Sequence, residues 1–209
     1  ALNRRAGFEY RKIIELPQKK AYLAFCTREQ YAAAKTTATA TNQYVFTKQT
    51  VLGVFSFRQL RLDSDIPLIH QWVNQEYARY WQMQHTSVEQ VRAAYTAIMQ
   101  AGHSNAYMGF YNDQPAFLWE QYRAINDPIG KYYDVQPGDY GLHLLVAPVD
   151  TPIHNFTISI LKTIIDYMLV DPCVQRLIVE PDVRNEKMHV LTKRAGFEYG
   201  NKIQLPHKT

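Results

Sequence analysis

The sequence predicts a mixed α/β domain whose central sheet is antiparallel in its front half and is completed by a βαβ unit. Three observations predict it. Strand-length apolar runs (VFSF, AYMGFY, AFLWEQY, YGLHLLV, RLIVE) alternate with stretches whose apolar residues recur at helical spacing. The runs at 106–111 and 116–122 flank NDQP at 112–115, a turn that sends the chain back antiparallel. YGLHLLV and RLIVE are joined by a helix-length segment, as a parallel crossover requires.

The elements follow in order. Residues 51–62 alternate around Phe55, Phe57 and Leu60 and read as a strand. Asp63, Ser64 and Asp65 cap a helix expected to begin near Pro67, with Leu68, Ile69, Trp72 and Val73 on one face. Thr86 and Ser87 cap a second helix over 88–100, striped by Val91, Ala94, Tyr95 and Ile98. Two strands, 106–111 and 116–122, come next, followed by a loop over 123–139 carrying Pro128, Gly130, Pro137 and Gly138. An apolar strand occupies 140–146. Thr151 and Pro152 are placed to open a long helix over 152–170, with Ile153, Phe156, Ile160, Leu161, Ile164, Ile165 and Met168 on its inner face. A short buried strand at 176–180, a helix at 184–195 ended by Gly196, and a last strand at 197–205 complete the order.

The chain also repeats itself. Residues 1–20 (ALNRRAGFEYRKIIELPQKK) and 190–209 (VLTKRAGFEYGNKIQLPHKT) agree at 11 of 20 positions without gaps, including the run RAGFEY. A shared turn signal would match a glycine and a few apolar residues, not a hexapeptide, so this is an internal repeat. Residues 1–35 are therefore expected to be the tail of a preceding copy of the domain. Residues 36–50, rich in Thr and Ala, read as a linker. The domain proper is expected over 51–209, without a last strand of its own. KKAYLAFCT, at 19–27, has the alternation to supply that strand, within one chain or swapped between two in a homodimer.

Composition excludes several classes. With 46% hydrophobic residues, Gly 9 and Pro 10, the chain is neither collagen-like nor compositionally disordered. Every stretch of about 18 residues carries charged or strongly polar groups, so no transmembrane helix and no membrane partner are expected. ALNRR at the start leads into no long apolar run, so no signal peptide is expected either. The net charge of +4 is scattered, which argues against nucleic acid and suits a small polyanionic ligand. Cys26 and Cys173 lie far apart, make no metal-binding spacing and are expected to be small buried apolar residues in a reducing cytoplasm. His85 and His103 read as isolated and exposed.

Candidate chemistry gathers late in the chain. His143 interrupts an otherwise apolar strand, and Asp182 lies just past the C-terminal end of the next parallel one. Ligands collect outside the carboxyl ends of parallel strands, so both could face one crevice, where a neutral imidazole beside a carboxylate works as a general base. The start of the long helix offers unpaired N–H groups from about Ile153 onward to an anion. Trp72 and Trp81, with Tyr122, fit either a packed core or an aromatic pocket for an amine whose charge Glu120 or Asp139 would meet. No nucleophile elbow, Walker motif, metal-spaced cluster or dinucleotide fingerprint is present.

The strand–helix order, with HQWVNQEYARYW (70–81), PAFLWEQYRAINDPIGKYYDVQPGDYGLHLLV (115–146), LIVEPDVRN (177–185) and RAGFEYGNKIQLPHK (194–208), resembles the GNAT acyl-CoA N-acyltransferases. Within them it resembles the siderophore-biosynthesis branch, which acylates N-hydroxylated lysine or diamines. The resemblance implies a GNAT sheet splayed at the coenzyme A site, and acetyl-CoA or succinyl-CoA as co-substrate without a metal. It implies His143 and Asp182 as the catalytic pair. Pantetheine would run past Leu145 and Val146, and the pyrophosphate would lie at Ile153, His154, Asn155 and Phe156, with Asn185 nearby. The acceptor would be a small hydroxyamine. The usual Gln/Arg-x-x-Gly-x-Gly/Ala turn is missing: APVDTPIH at 147–154 has no glycine and carries an acidic residue. A non-catalytic GNAT-like scaffold, or a GNAT enzyme for another small amine, are the other readings, and an intact His143 and Asp182 weigh against the scaffold.

The repeat generates a first test. Deleting residues 1–35 is expected to leave insoluble or molten protein, read by solubility and near-UV circular dichroism. A soluble, monomeric, fully active deletion variant would make the first copy's tail a passive remnant.

Overall fold

The computed structural model describes residues 9–16, 19–25, 44–149, 151–200 and 202–203. They fall into two units, 1–43 and 44–209. In the first, β1 (Glu9–Leu16) pairs antiparallel with β2 (Lys19–Phe25). The strand expected at 20–27 is described over 19–25 as β2, paired with the neighbouring β1. Adjacent antiparallel strands need only a short turn, so this local pairing forms readily.

The second unit holds a six-stranded sheet in chain order: β3 (Phe46–Gln49), β4 (Val54–Gln59), β5 (Ser104–Tyr111), β6 (Gln114–Arg123), β7 (Asp139–Val146) and β8 (Arg176–Ile178). All neighbours are antiparallel except β7 and β8, which are parallel. β3 corrects the linker expected at 36–50. Phe46 lies against Phe57 with ring centroids 5.4 Å apart, so this Thr-rich stretch has a core contact to order it. The domain begins by Tyr44, not at residue 51, and residues 36–43 lie outside those described.

One face of the sheet carries α1 (Leu62–Val73) and α2 (Val88–Gln100). Their buried Ile66, Ile69, Val91 and Tyr95 pack on Met108, Leu118 and Leu145. α1 starts five residues before Pro67. Asp65, 5% exposed, accepts the Arg61 backbone N–H at 2.8 Å and grips Arg58 at 2.7 and 2.8 Å, which fixes the first turn. Pro67 then sits inside the helix. α2 has its expected bounds because Ser87 and Gln90 form a reciprocal capping box. The β5–β6 turn has positive φ at both Asn112 and Asp113, the geometry of a tight hairpin.

The other face carries α3 (Phe156–Met168). Its Ile160, Leu161 and Ile164 cover Phe55, Phe57, Phe117 and Trp119. α3 begins four residues later than Pro152, with Asn155 left-handed at the cap (φ 60°). α4 (Glu186–Arg194) is capped by Asn185 and closed through Gly196 at φ 98°. Beyond it, residues 197–200 and 202–203 form no strand, against expectation; 201 and 204–205 lie outside the described residues. The chain instead folds back on α4: the Phe197 N–H reaches the Thr192 carbonyl at 3.0 Å, and Tyr199 contacts His189 and Thr192. Without a paired neighbour, apolar alternation does not make a strand. Cys173 is exposed, not buried, and His103 is half-buried over the Ala101 carbonyl. Among the described residues no helix is long and apolar enough to cross a membrane.

One close approach prepares the site. The Tyr122 ring lies flat on Gly141, its cross-strand partner, so a Cβ at 141 would fall 1.9 Å from the ring. Gly141→Ala is expected to cost about 1–3 kcal/mol in urea unfolding, the range for overpacking. Unchanged stability would mean that the ring moves aside freely.

Candidate active site

β7 is the strand on which the site is built. Its pairing with β8 covers only 139–141 against 176–178, while β7 itself runs on to Val146. The paired end is clamped. Asp139, 1% exposed, takes the Arg176 guanidinium on both oxygens at 2.7 Å, the Tyr133 hydroxyl at 3.0 Å and the Gln136 N–H at 2.9 Å. Hydrogen bonding from Arg176 holds the Asp139 carboxyl below its usual range despite burial. Past Gly141 the two strands separate.

His143 stands two residues beyond the last pair, at the mouth of that opening. It is directly across from Glu120 on β6. Extending the parallel register from Gly141 and Ile178 by two residues brings His143 level with Glu180. Both carboxylates meet the ring: Nδ1 lies 3.0 Å from Glu120 Oε2, and Nε2 lies 2.6 Å from Glu180 Oε1. The Tyr122 hydroxyl donates to Glu180 at 3.0 Å, and the fully buried Tyr95 phenol feels the charge of Glu120. Trp81 Nε1 donates to Tyr95 at 3.2 Å, and its ring stands edge-on to His143.

Counting protons fixes the charge state. A carboxylate only accepts, so a ring nitrogen facing one must carry a hydrogen, and His143 faces one on each side. Burial pulls the imidazolium down, but the hydrogen bonds and charges of Glu120 and Glu180 outweigh it and raise His143 from 6.5 to about 10. Burial, reinforced by the adjacent glutamates, pushes the Tyr95 and Tyr122 phenols well above their ordinary value, so both stay donors. At neutral pH the centre is an imidazolium clasped between two carboxylates.

The sequence expectation paired His143 with Asp182. The carboxylates on the ring are those of Glu120 and Glu180, while Asp182 accepts the Arg184 backbone N–H and guanidinium at 2.8–2.9 Å. The register just described is the sequence-readable signal for Glu180. Trp81, Glu120 and Tyr122, expected on the acceptor side, lie against His143. Trp72 and Asp139 do not: Trp72 is buried in the core under α1, and Asp139 belongs to the clamp. Leu145 turns its side chain into the core, and Val146 lies opposite Phe117. Ile153, His154 and Asn155 are exposed at the head of α3, where Asn155 accepts a hydrogen bond from Arg194 at 2.8 Å. Phe156 is buried against Tyr111, and Asn185 caps α4 through the Met188 N–H. Among the described residues no group of His, Cys, Asp and Glu is arranged to hold a metal.

Residues 61–205 match the family model for the acetyltransferase (GNAT) domain. The chain belongs to the GNAT acetyltransferase family. This GNAT chain is 30% identical over 156 residues to the N(6)-hydroxylysine O-acetyltransferase of Escherichia coli, covering 74% of itself and 50% of that protein. It is 27% identical over 147 residues to the lysine N-acyltransferase MbtK of Mycolicibacterium paratuberculosis, covering 69% and 66%. It thus spans about half to two thirds of the length of these relatives. Among solved structures, an uncharacterized protein from Bacillus halodurans superposes with a TM-score of 0.73 at 26% identity, over 80% of this chain and 87% of that one. The aminoglycoside acetyltransferase AAC(6')-Ib shares the fold at 17% identity, with a TM-score of 0.66 over 74% and 90%.

The charge state of His143 can be tested without substrate. Its pKa is higher in the folded than the unfolded chain, so its stabilisation is full below pH 6.5 and fades as pH rises through about 10. The stability gap between the parent and His143→Gln in urea melts is expected to shrink over that window. A gap constant from pH 6 to 10 would show that the ring is not charged.

Proposed function

We propose that this GNAT domain transfers an acyl group from acetyl-CoA or succinyl-CoA to the hydroxylamino nitrogen of an N-hydroxylated lysine or diamine, a step in hydroxamate siderophore assembly. The observation that carries the reading is the His143 clasp at the open end of β7 and β8, because it favours a nucleophile that needs no prior deprotonation. A histidine with both nitrogens hydrogen-bonded to carboxylates has no lone pair to take a proton from an ammonium. At pH 7 less than about one alkyl amine in a thousand is neutral. A hydroxylamine is largely neutral there and needs no prior deprotonation. The E. coli relative's name, a hydroxylysine acetyltransferase, supports a hydroxylysine-type acceptor, the mycobacterial relative's name supports acyl transfer to a lysine nitrogen, and family membership supports a coenzyme A donor.

The residues fit a thioester donor. The edge of β7 at 142–146, past its pairing with β8, offers alternating N–H and C=O groups to the amides of a pantetheine arm. The first turn of α3 has N–H groups without intrahelical partners, and exposed Ile153, His154 and Asn155 beside them, for the phosphates. Coenzyme A supplies the activated acyl carbon. Backbone N–H from β7 polarises its carbonyl as the nitrogen attacks. The C–N bond forms, the C–S bond breaks with its electron pair leaving on the coenzyme A thiolate, and Glu180 accepts the proton that the acylated nitrogen sheds. His143 holds Glu180 in place and, as a cation, balances charge building on the carbonyl oxygen. Trp81 walls the acceptor side. Asp182 acts at the rim through Arg184.

The deciding measurement is thiol release from acetyl-CoA and succinyl-CoA with N-hydroxylysine, N-hydroxycadaverine, N-hydroxyputrescine and the unhydroxylated amines. The hydroxylated acceptors are expected to turn over at least about tenfold faster at pH 7, given the neutral fraction of an amine. Equal rates for plain amines would reject the acceptor class. His143→Ala and Glu180→Gln are each expected to lower kcat by roughly a hundredfold, the scale of acid–base losses. Asp182→Asn should do less, and a reversed order would restore Asp182 to the centre.

A further inference from the structure

The two carboxylates on His143 are placed in different ways. Glu120 lies within β6, a strand paired on both sides, so the ladder sets its position. Glu180 lies two residues past the end of β8, beyond the ladder, yet its side chain is only 10% exposed. Its two oxygens have different partners. Oε1 meets His143 Nε2 at 2.6 Å, and Oε2 accepts the Tyr122 hydroxyl at 3.0 Å. A carboxylate only accepts, so the hydrogen of the second bond sits on Tyr122. Tyr122 is itself fixed. β6 pairs it with Ser104 on one side and Gly141 on the other. Its ring is buried, lies on Gly141 and packs with Ala124, Ile129 and Ile178. The same ring stands beside that of His143, with centroids 5.1 Å apart. A ring so covered has little surface to offer an amine, and its hydroxyl is turned to Glu180.

We infer that Tyr122 is a positioning residue: from its fixed place on β6 it holds Glu180 Oε2, and so keeps Oε1 on His143 Nε2 across the gap between β7 and β8. The inference rests on the acyl-transfer reading for its effect on rate, but not for its effect on the ring. Holds on two different oxygens set both the place and the plane of a carboxylate, and removing one loosens the plane. Without the hydroxyl, Oε2 loses a charge-assisted bond in a buried place, where an unmet acceptor is costly. The group that takes the proton from the attacking nitrogen then spends less time in line with it. The effect on the histidine is one-sided. Nε2 faces Glu180, whereas Nδ1 faces Glu120, which its ladder holds regardless. Tyr122 is not asked to touch substrate, so binding should be spared while turnover is not.

The test uses the full chain with Tyr122→Phe, Glu180→Gln and the double variant. Phe keeps the buried ring and removes only the hydroxyl. The first readout needs no substrate: the two ring N–H signals of His143 in ¹⁵N-histidine NMR. In Tyr122→Phe the Nε2–H signal should shift and exchange faster with water, while the Nδ1–H signal holds. The second is thiol release from acetyl-CoA with N-hydroxylysine. Tyr122→Phe should lower kcat roughly tenfold, the scale of one hydrogen bond to a charged group, with KM for both substrates within about twofold. In the Glu180→Gln background the same change should cost less than about twofold, because no base is left to aim. Unmoved signals, equal movement of both signals, losses that multiply in the double variant, or a loss confined to KM would each overturn the inference. If Tyr122→Phe does not fold, a folded double variant would uphold it, since the hydroxyl's task is then to meet that carboxylate; an unfolded double variant would assign the hydroxyl to the fold at large and overturn it. A moved Nε2–H signal in a protein that releases no thiol would uphold the hold on Glu180 and reject the acyl-transfer reading.

Discussion

A cation between two anions in a half-buried cleft is the constraint from which the rest of the site follows. The hydrogen bonds and charges of Glu120 and Glu180 outweigh burial and raise His143 to about 10, so the ring is charged at neutral pH. Such an arrangement is favoured away from bulk water when the carboxylates have further donors. The buried Tyr122 phenol supplies one to Glu180, and it does so with its ring against a residue that has no side chain. The chemistry of one histidine thus bears on a tyrosine and a glycine on neighbouring strands.

The clamp at Asp139 sets where this happens. It fastens the first residues of β7 to Arg176 and to the loop before it, at the start of a β7–β8 ladder that runs only to Gly141 and Ile178. A longer ladder would run hydrogen bonds past His143 and close the edge that a donor substrate would use. A shorter one would let Glu180 drift from the ring.

Much of the fold could be read from the residues, because α2, the β5–β6 hairpin and the alternation in β7 are written in local signals: a capping box, a two-residue turn and an apolar strand pattern. The misplacements have a common cause. α1 starts early through a side chain on its own fourth residue that reaches back to Arg61 and across to Arg58. β3 is ordered by a ring from another strand. α3 starts late because Asn155 is left-handed where Thr151 looked like a cap. Of the site, His143, Glu120, Tyr122 and Trp81 were legible as types in the right stretches. Nearness in sequence to the strand end points to Asp182, whereas the parallel register places Glu180 level with the ring.

The repeated hexapeptide bears on what a strand is. Glu9 and Tyr10 open β1, whereas Glu198 and Tyr199, identical in type and in their preceding residues, lie in a segment wound back on a helix. Propensity is the same in both copies, so it does not decide between them. The first copy is followed in sequence by a stretch that lies antiparallel to it, and the ladder belongs to that pair. Secondary structure here behaves as a property of a pair of segments: the same Glu-Tyr step is strand where β2 lies beside it and not where it is held against a helix.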